Sequence, residues 1–144
     1  MKIFAATVIL IFSFSAATGQ KLKDAPGPVK KGFAEKYKGA TPGKWQKEGE
    51  EYLTTTKVDG VSWEVSFDGN GKWLESEKKV SASEVPEPVK TALKEMLKDG
   101  WKLSGWNEEQ TPEYTLAYEA MMHKGKESKE VVFAPTGKFL KEEK

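Results

Sequence analysis

The sequence predicts an α+β fold, a tandem repeat of one helix followed by about four antiparallel strands, with the helices packed on one face of the sheet. Three observations lead there. Phe67-Asp68-Gly69-Asn70-Gly71-Lys72-Trp73-Leu74 returns near the end of the chain as Phe133-Ala134-Pro135-Thr136-Gly137-Lys138-Phe139-Leu140. Pro26-Gly27-Pro28-Val29-Lys30 returns as Pro86-Glu87-Pro88-Val89-Lys90. Alternating runs such as Trp63-Glu64-Val65-Ser66-Phe67 end at turn-forming segments, which is how β-hairpins look in sequence.

Residues 1–19 read as a signal peptide. Lys2 precedes an apolar run from Ile3 to Phe14 and a small-residue stretch Ser15-Ala16-Ala17-Thr18-Gly19. The run is shorter than the about 20 apolar residues a membrane-spanning helix needs. Cleavage near Gly19 would start the mature chain at Gln20 and place it in the periplasm or outside the cell, with no membrane insertion afterwards.

Residues 20–27 offer little to bury and are expected to be a mobile lead-in. The first helix opens at Pro26-Gly27-Pro28, since proline fits a first turn where its missing N–H is not needed. Val29, Phe33 and Tyr37 then recur every fourth residue, as do Val89, Leu93 and Leu97 in the second helix. Gly39 and Gly100 are placed to end the two helices.

A tryptophan follows each helix, Trp45 and Trp106. The Thr-rich run from Tyr52 to Val58 leads into Asp59-Gly60, a hairpin turn signal, and then into the alternating strand through Phe67. In the second half, Tyr114, Leu116, Tyr118, Ala120 and Met122 are expected on one strand face, followed by a turn at His123-Lys124-Gly125-Lys126 and a strand through Val131 and Phe133. Ser81 to Glu87 joins the halves and is too short to let them drift apart, so their sheets can meet edge to edge. The expected division is therefore 1–19 signal, 20–80 first repeat and 81–144 second repeat.

Composition narrows the function. The chain has 144 residues, 38% hydrophobic and 31% charged, with five Trp, seven Phe and four Tyr, enough large apolar side chains for a core. Cysteine is absent, so stability must come from packing. Without Lys2 the chain carries 22 basic (23 − 1) and 22 acidic residues, and every basic residue is Lys. A balanced charge and the lack of guanidinium groups argue against nucleic-acid binding.

No residue pattern points to catalysis, a cofactor or a metal. Asp68-Gly69-Asn70-Gly71 resembles the start of an EF-hand loop, but Lys72 and Trp73 stand where a ligand and a glycine are needed, so it reads as a turn. His123, the sole imidazole, sits at a hairpin tip and reads as solvated. Glu48-Glu50-Glu51 and Glu108-Glu109 could supply paired carboxylates, but they fall at equivalent strand ends in the two halves and read as solvated turns.

Aromatic side chains leave more open. Trp63, Trp73 and Phe139 are expected in the core. Trp45, Tyr52, Trp101, Trp106 and Tyr118 are candidate partner-binding aromatics wherever they lie on a face the helices leave uncovered.

The helix starts, the segment Tyr37-Lys38-Gly39-Ala40 leading to Trp45-Gln46-Lys47-Glu48, the run Phe67 to Leu74 and the doubling of the series resemble a family of exported bacterial proteins, the PepSY-like, β-lactamase-inhibitor-like proteins found mainly in Bacteroidetes. The resemblance spans about Pro26 to Leu140. It implies helices on one face of an antiparallel sheet, as in the β-lactamase inhibitor protein, and, by analogy of fold alone, protein binding. With no catalytic groups and a surplus of Trp and Tyr, the chain is expected to be a non-enzymatic module that binds another protein of the cell envelope. A periplasmic carrier or sensor of a small molecule is the alternative. The oligomeric state is left open.

Overall fold

The computed structural model describes residues 20–143, so the expected signal segment lies outside the described residues. Two ten-residue helices, α1 (Gly27–Lys36) and α2 (Glu87–Met96), accompany nine strands. The strands are β1 (Gln20–Lys21), β2 (Gln46–Glu48), β3 (Glu51–Val58), β4 (Val61–Asp68), β5 (Trp73–Val80), β6 (Lys102–Gln110), β7 (Ala117–Lys124), β8 (Glu127–Phe133) and β9 (Phe139–Glu143). They form one antiparallel sheet in strictly sequential order, with α1 between β1 and β2 and α2 between β5 and β6. β5 and β6 pair from Ser76↔Gln110 to Val80↔Trp106, so the sheet continues across the middle of the chain.

Local chemistry explains the hairpins. Asp59 and Gly60 both take positive φ, 50° and 80°, which makes the two-residue turn whose twist suits a β-hairpin. At the β4–β5 turn, one Asp68 carboxylate oxygen accepts the backbone N–H groups of Asn70 and Lys72, each at 2.9 Å. This is the work of a turn-forming Asp.

The helices lie on one face of the sheet, each over its own apolar cluster. Val29 and Phe33 of α1 pack with Trp45, Val65 and Phe67. Val89 and Leu93 of α2 pack with Trp106, Met122, Val131 and Phe133. Val29, Phe67, Val89 and Phe133 are fully buried. Burial of such a side chain contributes about 1.5–3 kcal/mol, so these stripes secure the helices to the sheet.

The recurring Gly-Lys turns prop the helix starts. Gly71 (φ 83°) and Gly137 (φ 85°) sit beneath the Pro28 and Pro88 carbonyl oxygens. A Cβ on Gly71 would come within 2.1 Å of Pro28 O, and one on Gly137 within 2.5 Å of Pro88 O. Only glycine fits such an approach at positive φ.

Three local expectations change. The lead-in forms strand β1 against β2, and Ala25 is buried beside α1, because the first apolar cluster needs covering at its edge. β7 begins at Ala117, so Tyr114 and the exposed Leu116 belong to the preceding loop; bends at Pro112, Glu113 and Thr115 delay the strand. Phe139 is 48% exposed, since it flanks Phe133 on β9, the edge strand of the sheet among the described residues.

Candidate functional site

The alternation of each strand sends half its side chains to the face without helices. Following the pairing from Val65 and Phe67, which face α1, the opposite face carries Glu64 and Ser66 of β4, Glu75 and Glu77 of β5, Asn107 and Glu109 of β6, Glu119 of β7, Glu130 of β8, and Lys141 and Glu143 of β9. Ser76, between Glu75 and Glu77, confirms the parity by hydrogen bonding Tyr37 on the helix side.

Among the described residues no helix covers this face, yet much of it is buried. Glu109 has no exposed surface, Glu119 is 3% exposed and Asn107 4%. The sheet buries them by curling. Lys141 Nζ lies 2.8 Å from Glu109, 2.9 Å from Glu143 and 3.9 Å from Glu75. In a flat sheet β6 and β9 would be about 14 Å apart at about 4.8 Å per strand, farther than a lysine stem spans. Strong twist therefore folds β9 back toward β5 and β6 and turns the helix-free face into a trough.

Glutamates line the floor in coupled pairs. Glu75 holds its proton to about pH 11, chiefly because of burial and then because of its hydrogen bond to Glu109. Glu77 is raised well above the usual range by burial and by the charge of Glu119. Glu119 is pushed up to about 7 and Glu130 to about 8, with burial the main cause in both. Glu109 is the exception. Burial opposes its ionisation, but hydrogen bonding to Glu75, the Lys141 ammonium and the Tyr114 hydroxyl hold its pKa below the usual value. Tyr114 donates to Glu109 Oε1 at 2.6 Å and thereby leans over the floor from the β6–β7 loop. Asn107 Nδ2 donates to Glu119 at 3.0 Å.

The sequence-derived candidates lie elsewhere. Trp45, Trp106 and Tyr118 are buried in the two apolar clusters beneath the helices. Tyr52 and Trp101 are half-buried at the margins of those clusters, under the Lys47 and Lys129 ammonium groups. All five are thus on the helix side, and not on an uncovered sheet face. The reason is geometric: helices of ten residues leave room beside them, and large rings fill it.

Glu108 and Glu109 part company, because neighbours along a strand face opposite ways. Glu108 pairs with Lys78 at 2.8 Å on the helix side, whereas Glu109 joins the trough. The reading of Glu109 as a solvated strand end is therefore corrected. His123 accepts or donates a 2.6 Å hydrogen bond with Ser104 on exposed strand ends. Among the described residues, no carboxylate is recorded on that imidazole to complete a triad.

Sequence reasoning passed over Glu75, Glu77, Glu119 and Lys141. The available signal was Glu75 and Glu77 sharing one face of a strand rich in charge, a pattern that ordinarily marks a solvated surface.

No protein-family model matches the chain, and no curated protein matches it. Among the described residues no helix is long and apolar enough to cross a membrane. Solved structures share the fold. A DUF2874 family protein from Bacteroides uniformis is 20% identical over 83% of this chain and 89% of that one, with a TM-score of 0.65. A structure named for "putative periplasmic proteins" from Bacteroides eggerthii is 19% identical over 83% of this chain and 88% of that one, at 0.63. A BLIP-like protein from Bacteroides fragilis is 24% identical over 85% of this chain and 87% of that one, at 0.64. At these identities the likeness is one of fold: two helices on one side of an antiparallel sheet, shared with BLIP-like and DUF2874 proteins of Bacteroides.

Proposed function

We propose that the protein is an exported, non-enzymatic binding module whose acidic trough receives a basic segment of another protein of the cell envelope. The observation that carries this reading is the density of carboxylates on the helix-free face. Glu51, Glu64, Glu75, Glu77, Glu109, Glu119, Glu130 and Glu143 share that face with Lys57, Lys79 and Lys141, so carboxylates outnumber cations there, and Lys141 contacts the floor through Glu109. Carboxylates crowded in this way raise one another's pKa and favour an incoming cation. A lysine or arginine from a partner would relieve the repulsion among the half-buried rim members Glu51, Glu64 and Glu143.

The sequence adds the export signal at residues 1–19, with cleavage near Gly19 and residence in the periplasm or outside the cell. The likeness to a BLIP-like fold and the PepSY-like motifs support an inhibitor-like or peptidase-directed role by analogy of fold alone. We further read 20–80 and 81–144 as two copies of one helix-plus-four-strand unit. The matched positions of Gly71 under Pro28 and Gly137 under Pro88 support that reading.

Immobilised mature protein should retain an envelope protein from an extract of the source organism, and release it as salt is raised. Glu51→Lys and Glu64→Lys together should abolish retention, while Tyr52→Ala and Trp101→Ala on the other face should not. Retention that survives the trough substitutions would refute the assignment. The small-molecule alternative has less support: a concavity of about 430 Å³ beside the start of α1 is lined by Pro28, Lys31, Glu35, Asn70 and three glycines, with no aromatic side chain among them.

A further inference from the structure

We propose that Glu75, Glu77 and Glu109, together with the Ser66 hydroxyl, form a binding site for a calcium ion in the floor of the trough. One carboxylate oxygen from each of the three glutamates lies within 4.8 Å of the others. Calcium holds its oxygen ligands at about 2.3–2.6 Å, so oxygens on opposite sides of one ion are about 5 Å apart, and the cluster has the required span.

Two observations beyond the acidic cluster point to an occupant. Ser66 is 2% exposed and its Oγ has no hydrogen-bond partner, and Glu77 Oε1 is likewise buried without one. Buried polar atoms are almost always partnered, so orphans on adjacent strands mark a place where something else binds. Between them lies a cavity of about 10 Å³ lined by Glu64, Val65, Ser66, Glu75 and Glu77. That is room for about one water-sized occupant.

Ligand type and room select the ion. All the donors are oxygens, the chain has no cysteine, and its one histidine is on the distant β7 end, so a thiolate or imidazole metal has nothing to hold it. Magnesium keeps several waters in a strict octahedron, which the cavity cannot house, whereas calcium accepts bidentate carboxylates in irregular geometry. Lys141 does not fill the place. It binds Glu109 and Glu143 closely but stays 3.9 Å from Glu75. Glu64 from β4, Glu119 from β7, Lys79 from β5 and Tyr114 from the β6–β7 loop complete the charged and titratable groups facing the site. This site stands whether or not the trough docks a partner.

Protons and calcium compete for the same carboxylates, so affinity should rise with pH by about tenfold per unit for each proton displaced. Metal-free mature protein titrated with calcium chloride by calorimetry should show one saturable site at about pH 8, with a dissociation constant on the order of 10⁻⁴ to 10⁻³ M, as in extracellular modules. Magnesium chloride should give no matching heat. Ser66→Ala, which leaves the fold undisturbed, should weaken binding about tenfold, and Glu77→Gln should abolish it. Absence of calcium heat up to about 10 mM, equal responses to calcium and magnesium, or unchanged binding in Ser66→Ala would each overturn the proposal.

Discussion

Lys141 Nζ on β9 lies 2.8 Å from Glu109 on β6, with two strands of the same sheet between them. The contact is possible only because the sheet curls, and in turn it holds the curl. Burial disfavours the ammonium, yet Glu109 and then Glu75 raise the pKa of Lys141 above the ordinary lysine value. Glu109 is a fully buried carboxylate whose charge depends on this partner.

Removing that partner should therefore be costly. Lys141→Met should destabilise the protein by about 3–5 kcal/mol near pH 8, the cost of leaving a buried charge unpaired. Near pH 5 the penalty should shrink, because Glu109 without its ammonium takes up a proton more readily. Urea denaturation at both pH values measures this. An equal loss at the two would assign the effect to the lysine stem and not to its charge.

Stability should fall as pH rises through the neutral range. Glu75, Glu77 and Glu119 all bind protons more tightly folded than at the unfolded value of 4.5, Glu119 titrating at about 7 and Glu75 at about 11. Between 4.5 and those values the native state holds more protons than the unfolded chain, so the unfolding free energy drops with pH. Each extra proton held changes stability by about 1.4 kcal/mol per pH unit. Glu109, lowered, acts the other way, its contribution being lost as pH falls through its folded value. The melting temperature should thus be higher at pH 5 than at pH 8, and scanning calorimetry across that range should show a monotonic decline. A rise would contradict the protonated floor.

Glycine is required at the two helix props. Gly71→Ala adds strain at φ 83° and drives a Cβ to 2.1 Å from the Pro28 carbonyl, whereas Gly60→Ala at φ 80° meets nothing within 4 Å. Positive-φ strain alone costs about 1–2 kcal/mol. Gly60→Ala should lose about that much, and Gly71→Ala and Gly137→Ala clearly more, by chemical denaturation. Equal losses at all three would mean that the props do not bear on the helices.

Four of the five aromatic candidates should separate by stability. Trp45→Ala and Trp106→Ala, each 4% exposed in the wild type, should cost about 3–5 kcal/mol as core truncations. Tyr52→Ala and Trp101→Ala, half-buried at cluster margins, should cost about 1–2 kcal/mol. Thermal melts of the four variants rank them directly.

Much of the fold was legible because its signals are local. Proline pairs mark the helix starts, four-residue spacing marks Val29–Phe33 and Val89–Leu93, and Asp59-Gly60 and Gly71-Lys72 mark turns. Period-two alternation even told which side of β4 was wet, Glu64 and Ser66 opposite Val65 and Phe67. Alternation could not tell how wet that side was. Glu75 and Glu109 look like solvent-facing residues in their strands, and Tyr52 and Trp101 look like free rings, until their neighbours from distant segments are in place.

The sequence by itself determined the α+β class, the two helices, their buried stripes and most of the hairpins, because propensity, capping and alternation act over a few residues. Tertiary structure alone decided that the rings belong under the helices and that the glutamates meet Lys141 in a trough. Twist adds up strand by strand across nine strands, and only the sum brings β9 over β5 and β6 and turns a polar face into a buried one.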